Sequence, residues 1–558
     1  MTVEQRIEPI SGAESIGPQF ETRIAELVLV NPPGLIGRTN ERTFSGGIGV
    51  SRRLKPWEDE QTELPPIDML YLAAVAERAG AHVRLVDLLL TGLQGSLAER
   101  QCVQTIRKGG PGSWFGVRLS MPSLQQDLSF AMRLKAYVPD SVVFLFGAVI
   151  MSTLDHWVES ARRAEIDYVL FGEPEALFES VMRASDPRAV PGVIDPRRYV
   201  PLRAEDLYDE AMVMARQREW VRVGELDTLP RPAWHLLDLA RYAPDGDTTK
   251  LGVNIQASRG CPIACTMCPY TLLEGAPWRN NDIQRVVNEI KYLNDAFGIY
   301  RVRFRDPNFG FSRKYALELA KALIASEVKL AAAVESSIEV FDELTLRTLR
   351  EAGIETITTG VETNDEACMA SIGQKIQVND KLRARVELCH ALGFHVYGTY
   401  CLGTPEETWA TVEKTWRFAN ELDVESGFTV MTPFPGTPMY WRALREGLLP
   451  KRMQFSSWNS YSSTARTYGL STTDLDMARW WARMETIIAY RKGRARARGF
   501  APLVEFYGSH VPHYAWRTAC RGYVAVRKWL AHQQRRRASP AAPTSRLAKK
   551  NMSALRSR

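Results

Sequence analysis

Val253-Asn254-Ile255-Gln256-Ala257-Ser258-Arg259-Gly260-Cys261-Pro262-Ile263-Ala264-Cys265-Thr266-Met267-Cys268 decides how this chain reads. Residues 253–258 read as a strand, and three cysteines follow directly in C-x3-C-x2-C spacing. That spacing offers three thiolates in one short loop. Cys thiolates are the usual ligands of iron–sulfur clusters, which normally take four, so a loop of three leaves one iron open for a substrate or cofactor. Two other readings compete. A structural zinc site wants a fourth Cys or His nearby, but the next cysteine is Cys368 and the nearest histidine is His235. The third reading is three incidental buried thiols. The position at a strand end favours a 4Fe–4S cluster on Cys261, Cys265 and Cys268.

Downstream of this loop, strands are expected at 300–305, 330–335, 356–360, 395–401 and 427–431. Helices fit between them at 283–297, 314–326, 343–352, 380–392 and 406–422. With the strand at 253–258, these units suggest a partial (β/α)6 TIM-type barrel, whose chemistry sits at the C-terminal ends of its strands. Upstream, strands at 26–31, 82–87, 114–119, 142–146 and 167–171 alternate with helices at 67–79, 123–137 and 156–163. That alternation implies a parallel, doubly wound, Rossmann-like sheet. Ligands of such sheets bind beyond the carboxyl ends of the strands. Here those ends carry Asn31-Pro32-Pro33, Ser120-Met121-Pro122, Gly147-Ala148 and Gly172-Glu173-Pro174-Glu175. The expected organisation is therefore α/β: a loose arm at 1–20, a first domain at 21–185, a linker at 186–250, the barrel at 251–450, a helical region at 451–534 and a basic tail at 535–558.

Composition sets the outer bounds. Hydrophobic residues make up 45% of the 558 and charged residues 24%, a globular balance in a chain long enough for two or three domains. No stretch reads as a signal peptide, and the most apolar one, 141–154, is too short to span a bilayer. Eight cysteines, three of them within 261–268, suit a metal site in a reducing cytosol better than a disulfide framework. The net charge of +7 is concentrated in the tail, where 535–558 holds eight Lys or Arg and no Asp or Glu. The body is near neutral and makes no general case for nucleic acid. A helix is expected at 516–530, with Trp516, Cys520, Tyr523, Val524 and Leu530 on one face and Arg517, Arg521 and Lys528 on another. It reads either as docked on the barrel or as lying on a membrane surface beside the basic tail. The aromatic stretches at 458–468 and 507–516, and the histidines His390, His395, His510 and His513, read as structural.

Ser258-Arg259-Gly260-Cys261 through Cys268 resembles the cluster loop of radical S-adenosylmethionine (SAM) enzymes. Further stretches follow in the order of the branch with an N-terminal cobalamin-binding domain. Gly172-Glu173-Pro174-Glu175 resembles the end of that domain, and Leu229-Pro230-Arg231-Pro232-Ala233-Trp234 resembles its linker. Arg305-Asp306-Pro307-Asn308-Phe309, Gly360-Val361-Glu362-Thr363, Leu402-Gly403-Thr404-Pro405-Glu406-Glu407-Thr408 and Phe434-Pro435-Gly436-Thr437-Pro438 resemble four later motifs of the barrel. The three-cysteine loop is specific; the others gain weight from their order, over about residues 24–445.

The resemblance implies that the open iron binds SAM and that an electron then cleaves it to a radical that abstracts hydrogen from an unactivated carbon. By position, Asp306, Asn308 and Glu362 are expected at the SAM site. Ser337 stands where relatives often have Arg. Ser120, Gly147, Gly172 and Glu173 are the expected cobalamin contacts, with Trp57, Glu58, Asp59 and the Gly46-Gly47 loop on its lower side. The D-x-H-x-x-G cobalamin signature is absent, as is usual in this branch. With both cofactors the implied reaction is C-methylation of a specialised metabolite, peptide or lipid, fed by a flavodoxin- or ferredoxin-type electron donor, in a cytoplasmic monomer with peripheral membrane contact at its C-terminus as an option. Alternatives are a cyclase, oxygenase or ring-rearranging enzyme with the same cofactors, and a zinc-stabilised binding protein. Radical methylthiolation of tRNA is disfavoured, since it needs three more cysteines in the first domain, where only Cys102 stands.

Overall fold

The structure, a computed structural model, describes residues 26–35, 38–42, 47–53, 64–91, 113–203, 206, 209–374, 379–450, 454–497 and 518–530. The arm 1–20, Gly46, Trp57, Glu58, Asp59, Cys102, the stretch 507–517 and the basic tail lie outside the described residues.

The first unit is built on β1 (Glu26–Asn31), a hairpin of β2 (Arg38–Glu41) and β3 (Val50–Arg53), α1 (Ile67–Arg78), β4 (His82–Asp87), β5 (Trp114–Arg118), α2 (Leu124–Tyr137), β6 (Val142–Phe146), α3 (Ile150–Arg163), β7 (Tyr168–Leu170), α4 (Pro174–Arg183) and β8 (Val193–Ile194). Its sheet runs β4-β1-β5-β6-β7-β8, parallel except for the edge strand β8. Leu27 to Val30 and Val143 to Phe146 are buried throughout. Continuous apolar runs of this kind belong to strands with helices on both faces. Two helices differ from the sequence expectation. Helix α3 begins at Ile150, because Gly147, at φ +134°, turns the chain at once off the strand. Helix α4 was not expected; Pro174 at its first turn, where no N–H is needed, opens it directly from the Gly172-Glu173 strand end.

The chain reverses direction across the sheet between β1 and β5, the usual ligand crevice of this topology. Here the chain fills much of it. Arg42 forms a buried ion pair with Asp127 at 2.6 Å and donates to the carbonyl of Pro32. The segment before β3 caps the end of β5, where the Met121 N–H and the Ser120 hydroxyl both donate to the Ile48 carbonyl.

The connector holds α5 (Glu210–Gln217) and a run of short turns that strap the two units together. Trp234 is fully buried, the Ala233 N–H donates to Leu70 O, and the Tyr242 hydroxyl donates to Asp87. The second unit follows: β9 (Gly252–Ile255), β10 (Ser258–Arg259), α6 (Pro269–Leu273), β11 (Arg279–Asn280), α7 (Ile283–Phe297), β12 (Arg301–Phe304), α8 (Arg313–Ala325), β13 (Ala331–Glu335), α9 (Glu343–Glu351), β14 (Ile354–Glu362), α10 (Glu366–Ser371), α11 (Asn379–Ala391), β15 (His395–Leu402), α12 (Trp409–Glu421), β16 (Glu425–Val430) and α13 (Pro438–Arg445). Its main sheet, β9-β12-β13-β14-β15-β16, is parallel throughout and ordered as in the sequence, the winding of a partial barrel with β9 and β16 at its edges. Helix α12 starts three residues later than expected because Thr408 caps it, accepting from the Thr411 N–H while Thr411 reciprocates. Helix α14 (Thr472–Ala497) covers the β16 edge, and a further helix, α15, occupies 518–530. No described helix is long and apolar enough to cross a membrane.

Candidate active site

The three-cysteine loop is held from three sides. Gly260, at φ +84°, opens it, and any Cβ there would collide with the Pro277 carbonyl. The Gly260 N–H donates to the Glu274 carboxylate at 3.0 Å and the Cys261 N–H to Gly275 O at 3.1 Å. Thr266 donates through its N–H to Ile372 O and through its hydroxyl to Ser371 O, and its own carbonyl accepts the Met439 N–H. Upstream, Asp306 accepts the Ala257 N–H at 2.9 Å and the Ser258 hydroxyl at 2.5 Å. The loop therefore leaves the first barrel strand in a fixed direction. Burial pushes all three thiols above the ordinary range, Cys268 furthest, where the neighbouring cysteines add to the effect. Thiols so placed gain most from binding a cation, which stabilises the thiolate.

All three cysteines line a cavity of about 700 Å3 at the barrel mouth. Glu362, at φ +60° on the end of β14, lines it too, and its carboxylate folds over Gly360, where a Cβ would lie 2.7 Å from Oε1. Burial pushes that carboxyl up to about 7. It makes no hydrogen bond to the described residues. Asn308 also lines the cavity. Its Oδ1 accepts the Ser337 N–H at 3.3 Å, while its buried Nδ2 has no partner among the described residues. Ser337 is a lining residue as well. Asp306 is not: it is 1% exposed and wholly engaged in pinning the cluster loop. Gln374 was not expected. Its side-chain amide donates to the Cys265 sulfur at 2.7 Å. It lies about a hundred residues downstream of the loop it touches, and no local pattern marks it.

A second cavity, about 100 Å3, lies between the carboxyl ends of the first sheet and the barrel. Gly147, Gly172 and Glu173 line it, and Ser120 does not. Ser120 is buried under the Ile48 segment, its N–H on Asp127. Glu173 faces the cavity but is committed elsewhere: its carboxylate pairs with Arg279 at 2.9 Å and accepts the Val223 N–H at 2.6 Å. Beside it Glu175 pairs with Arg259 at 2.5 Å, both side chains buried. Tyr270, two residues beyond Cys268, lines both cavities, and the Arg305 guanidinium lies 5.2 Å from its ring centroid.

Residues 255–419 match the radical SAM superfamily. The chain is 26% identical to a protein of Pyrococcus horikoshii named uncharacterized methyltransferase PH0819 over 401 residues, 72% of this chain and 82% of that protein. A radical SAM domain thus occupies residues 255–419 of this chain. The radical SAM methyltransferase TsrM from Kitasatospora setae, solved with tryptophan and a SAM analogue, superposes with a TM-score of 0.55 at 16% identity, covering 75% of this chain and 76% of TsrM. The cobalamin-dependent radical SAM enzyme OxsB, solved with aqua-cobalamin and SAM, superposes with a TM-score of 0.61 at 12% identity, covering 88% of this chain and 72% of OxsB. The two-sheet fold of this chain is thus shared with both proteins.

The residues present fit the groups a radical SAM enzyme uses. Three thiols face one cavity, an amide already donates to one of them, and an uncommitted carboxylate and an unpartnered amide share the same space. Among the described residues no three His, Cys, Asp or Glu converge as they would on a single ion. At the second cavity Gly147 and Gly172 stand where the chain packs on itself, since a Cβ would meet Leu119 O at 2.4 Å and Val221 O at 2.7 Å, and the rim carries Asp68, Glu173, Glu175, Arg259 and Glu274. No histidine lines it. His156 packs its ring against Phe455, 5.9 Å between centroids, on another side of the first unit.

Proposed function

We propose that the chain is a cobalamin-dependent radical SAM C-methyltransferase acting on an unactivated carbon of a specialised metabolite, peptide or lipid. The observation that carries this reading is Tyr270: one side chain walls both the three-thiol cavity and the cavity at the end of the first sheet, so two cofactor spaces face each other across it. When bound, the cluster and SAM supply a radical able to take hydrogen from an inert carbon, and cobalamin supplies the methyl group.

The chain's own residues bind and orient. Cys261, Cys265 and Cys268 hold the cluster, and Gln374 supports Cys265. Glu362 accepts hydroxyl donors and Asn308 Nδ2 donates to acceptors of the bound SAM. Gly147 and Gly172 line the second cavity, and the pairs Arg259–Glu175 and Arg279–Glu173 fix the spacing of the two sites. Electrons come from a small carrier of the flavodoxin or ferredoxin type.

The test is anaerobic purification from cells supplied with cobalamin, cluster reconstitution, and measurement of iron, sulfide and cobalt with the EPR spectrum. About four irons and about one cobalt per chain, with a reduced-cluster signal altered by SAM, support the reading. Iron without cobalt removes methyl transfer through cobalamin, and zinc alone removes radical chemistry. A product heavier by one methyl group separates methylation from cyclisation, which adds no carbon.

A further inference from the structure

Helix α15 docks on the protein through apolar and charged contacts together. The expected apolar face, Cys520, Tyr523 and Val524, is the docked one, and Arg521, Arg527 and Lys528 at its margins reach acids on neighbouring helices. Arg527 forms a two-pronged ion pair with the fully buried Asp474, at 2.5 and 2.6 Å. Arg521 pairs with Glu485 of α14, 2.7 Å at its second contact, and Lys528 pairs with Glu413 of α12. Cys520 and Val524 are buried in the main core. Residues Gly522, Ala525, Val526 and Trp529, at i, i+3, i+4 and i+7, are left on one exposed stripe without a charge. Val526 is 57% exposed, Trp529 59% and Leu530 37%. Arg521 stands half-exposed beside this stripe, so the outward side of the helix joins valine, tryptophan and leucine to a cation.

The chain itself names the covering chemistry. No Asp or Glu occurs anywhere after Glu505, and eight Lys or Arg follow within 535–558. Apolar anchoring beside a run of cations with no anions is complementary to an anionic bilayer surface. Tryptophan at the headgroup level and basic residues against acidic lipid act together there. We infer that the exposed face of α15 docks on an anionic phospholipid surface, with the helix lying in the interface plane. This rests on the exposed stripe and the charge pattern, and it is independent of the proposed chemistry.

The experiment is co-sedimentation of the full-length protein with vesicles of phosphatidylcholine alone or with added phosphatidylglycerol. Anionic vesicles should bind about tenfold more tightly than neutral ones, and high salt should weaken that binding. Trp529→Glu and Val526→Glu, each at an exposed site, should release the protein from anionic vesicles without changing its iron content or thermal unfolding. Charge reversal of Arg535, Arg536 and Arg537 should weaken binding while leaving the Trp529 fluorescence shift of the bound fraction. Failure to pellet with either vesicle overturns the inference. So does a Trp529→Glu protein that pellets like the parent, since the tail alone then does the binding. A concentration-dependent dimer that Trp529→Glu abolishes, with no vesicle binding, would assign the face to a second copy of the chain instead.

Discussion

Asp306 and Ser258 are joined by a 2.5 Å hydrogen bond three positions before the first cluster cysteine, and the other oxygen of Asp306 holds the Ala257 N–H at 2.9 Å. The carboxylate is 1% exposed and reaches across from the end of β12. It sets the direction in which the cluster loop leaves its strand. Buried hydrogen bonds to a charged group contribute about 1.5–3 kcal/mol each, enough to order a loop that has little core of its own. Asp306→Ala is therefore expected to lower iron and sulfide per chain by more than about half, and Asp306→Asn, which keeps one acceptor, by less. Metal analysis after identical reconstitution checks the order, with circular dichroism to show that the fold persists. Equal loading in all three proteins would make Asp306 irrelevant to the loop.

The Gln374 amide reaches Cys265 at 2.7 Å. Hydrogen bonds to cluster sulfurs stabilise the reduced, more negative form and so raise the reduction potential. Gln374→Leu removes the donor and keeps the bulk. The potential of the reconstituted cluster is expected to fall by some tens of millivolts, and reductive SAM cleavage with a fixed donor should slow while iron content holds. A redox titration monitored by EPR reads the shift directly.

The sequence made the order of strands and helices legible because βα units alternate in period, and the cysteine loop because three ligands fall within eight residues. It was weaker where a role depends on what lies opposite. Asp306 and Glu362 both end barrel strands and both suggested SAM contacts, yet one turns back onto Ser258 while the other faces the cavity. Ser120 and Gly172 both end strands of the first sheet, yet only Gly172 lines the cavity, since the Ile48 segment folds over Ser120. Gln374 left no trace, because its partner is set by how α10 meets the loop. The docked face of the C-terminal helix, Cys520, Tyr523 and Val524, was legible, but not the ion pairs at its margins, because their acids, Glu413, Asp474 and Glu485, lie on other helices.

Arg259 lies within the quoted stretch and Glu175 in the first unit, and their 2.5 Å pair is buried, 7% and 3% exposed. Removing one partner strands a buried charge, which typically costs about 3–5 kcal/mol, whereas removing both is far milder. Arg259→Met is expected to lower the urea midpoint sharply, and the double change with Glu175→Gln to recover part of it. Glu173 lies 3.4 Å from Arg259 and keeps its own bond to Arg279, so recovery is incomplete. A double-mutant cycle measures the coupling. Additive effects would show that the pair does not tie the first unit to the cluster loop.

Glu289 supplies a pH dependence with a definite sign. It sits on α7, buried, and accepts the Trp234 indole N–H at 3.2 Å. Burial pushes its carboxyl up to about 7, against the lowering effect of that hydrogen bond and of Arg285 and Arg231. The unfolded chain releases this proton near the ordinary carboxylate value of about 4.3. Between those values the folded protein holds a proton that the unfolded chain has lost, so stability falls as pH rises through the window and is level above about 7. The full shift corresponds to roughly 4 kcal/mol, as an upper bound. Glu289→Gln keeps the acceptor for Trp234 and removes the titration. It should match the parent near pH 4 and exceed it at pH 8 by up to about 4 kcal/mol. Urea unfolding at four pH values across that range reads the difference. A gap between the two proteins that stays constant with pH would mean that Glu289 is ionised throughout, with Arg285 and Arg231 outweighing its burial.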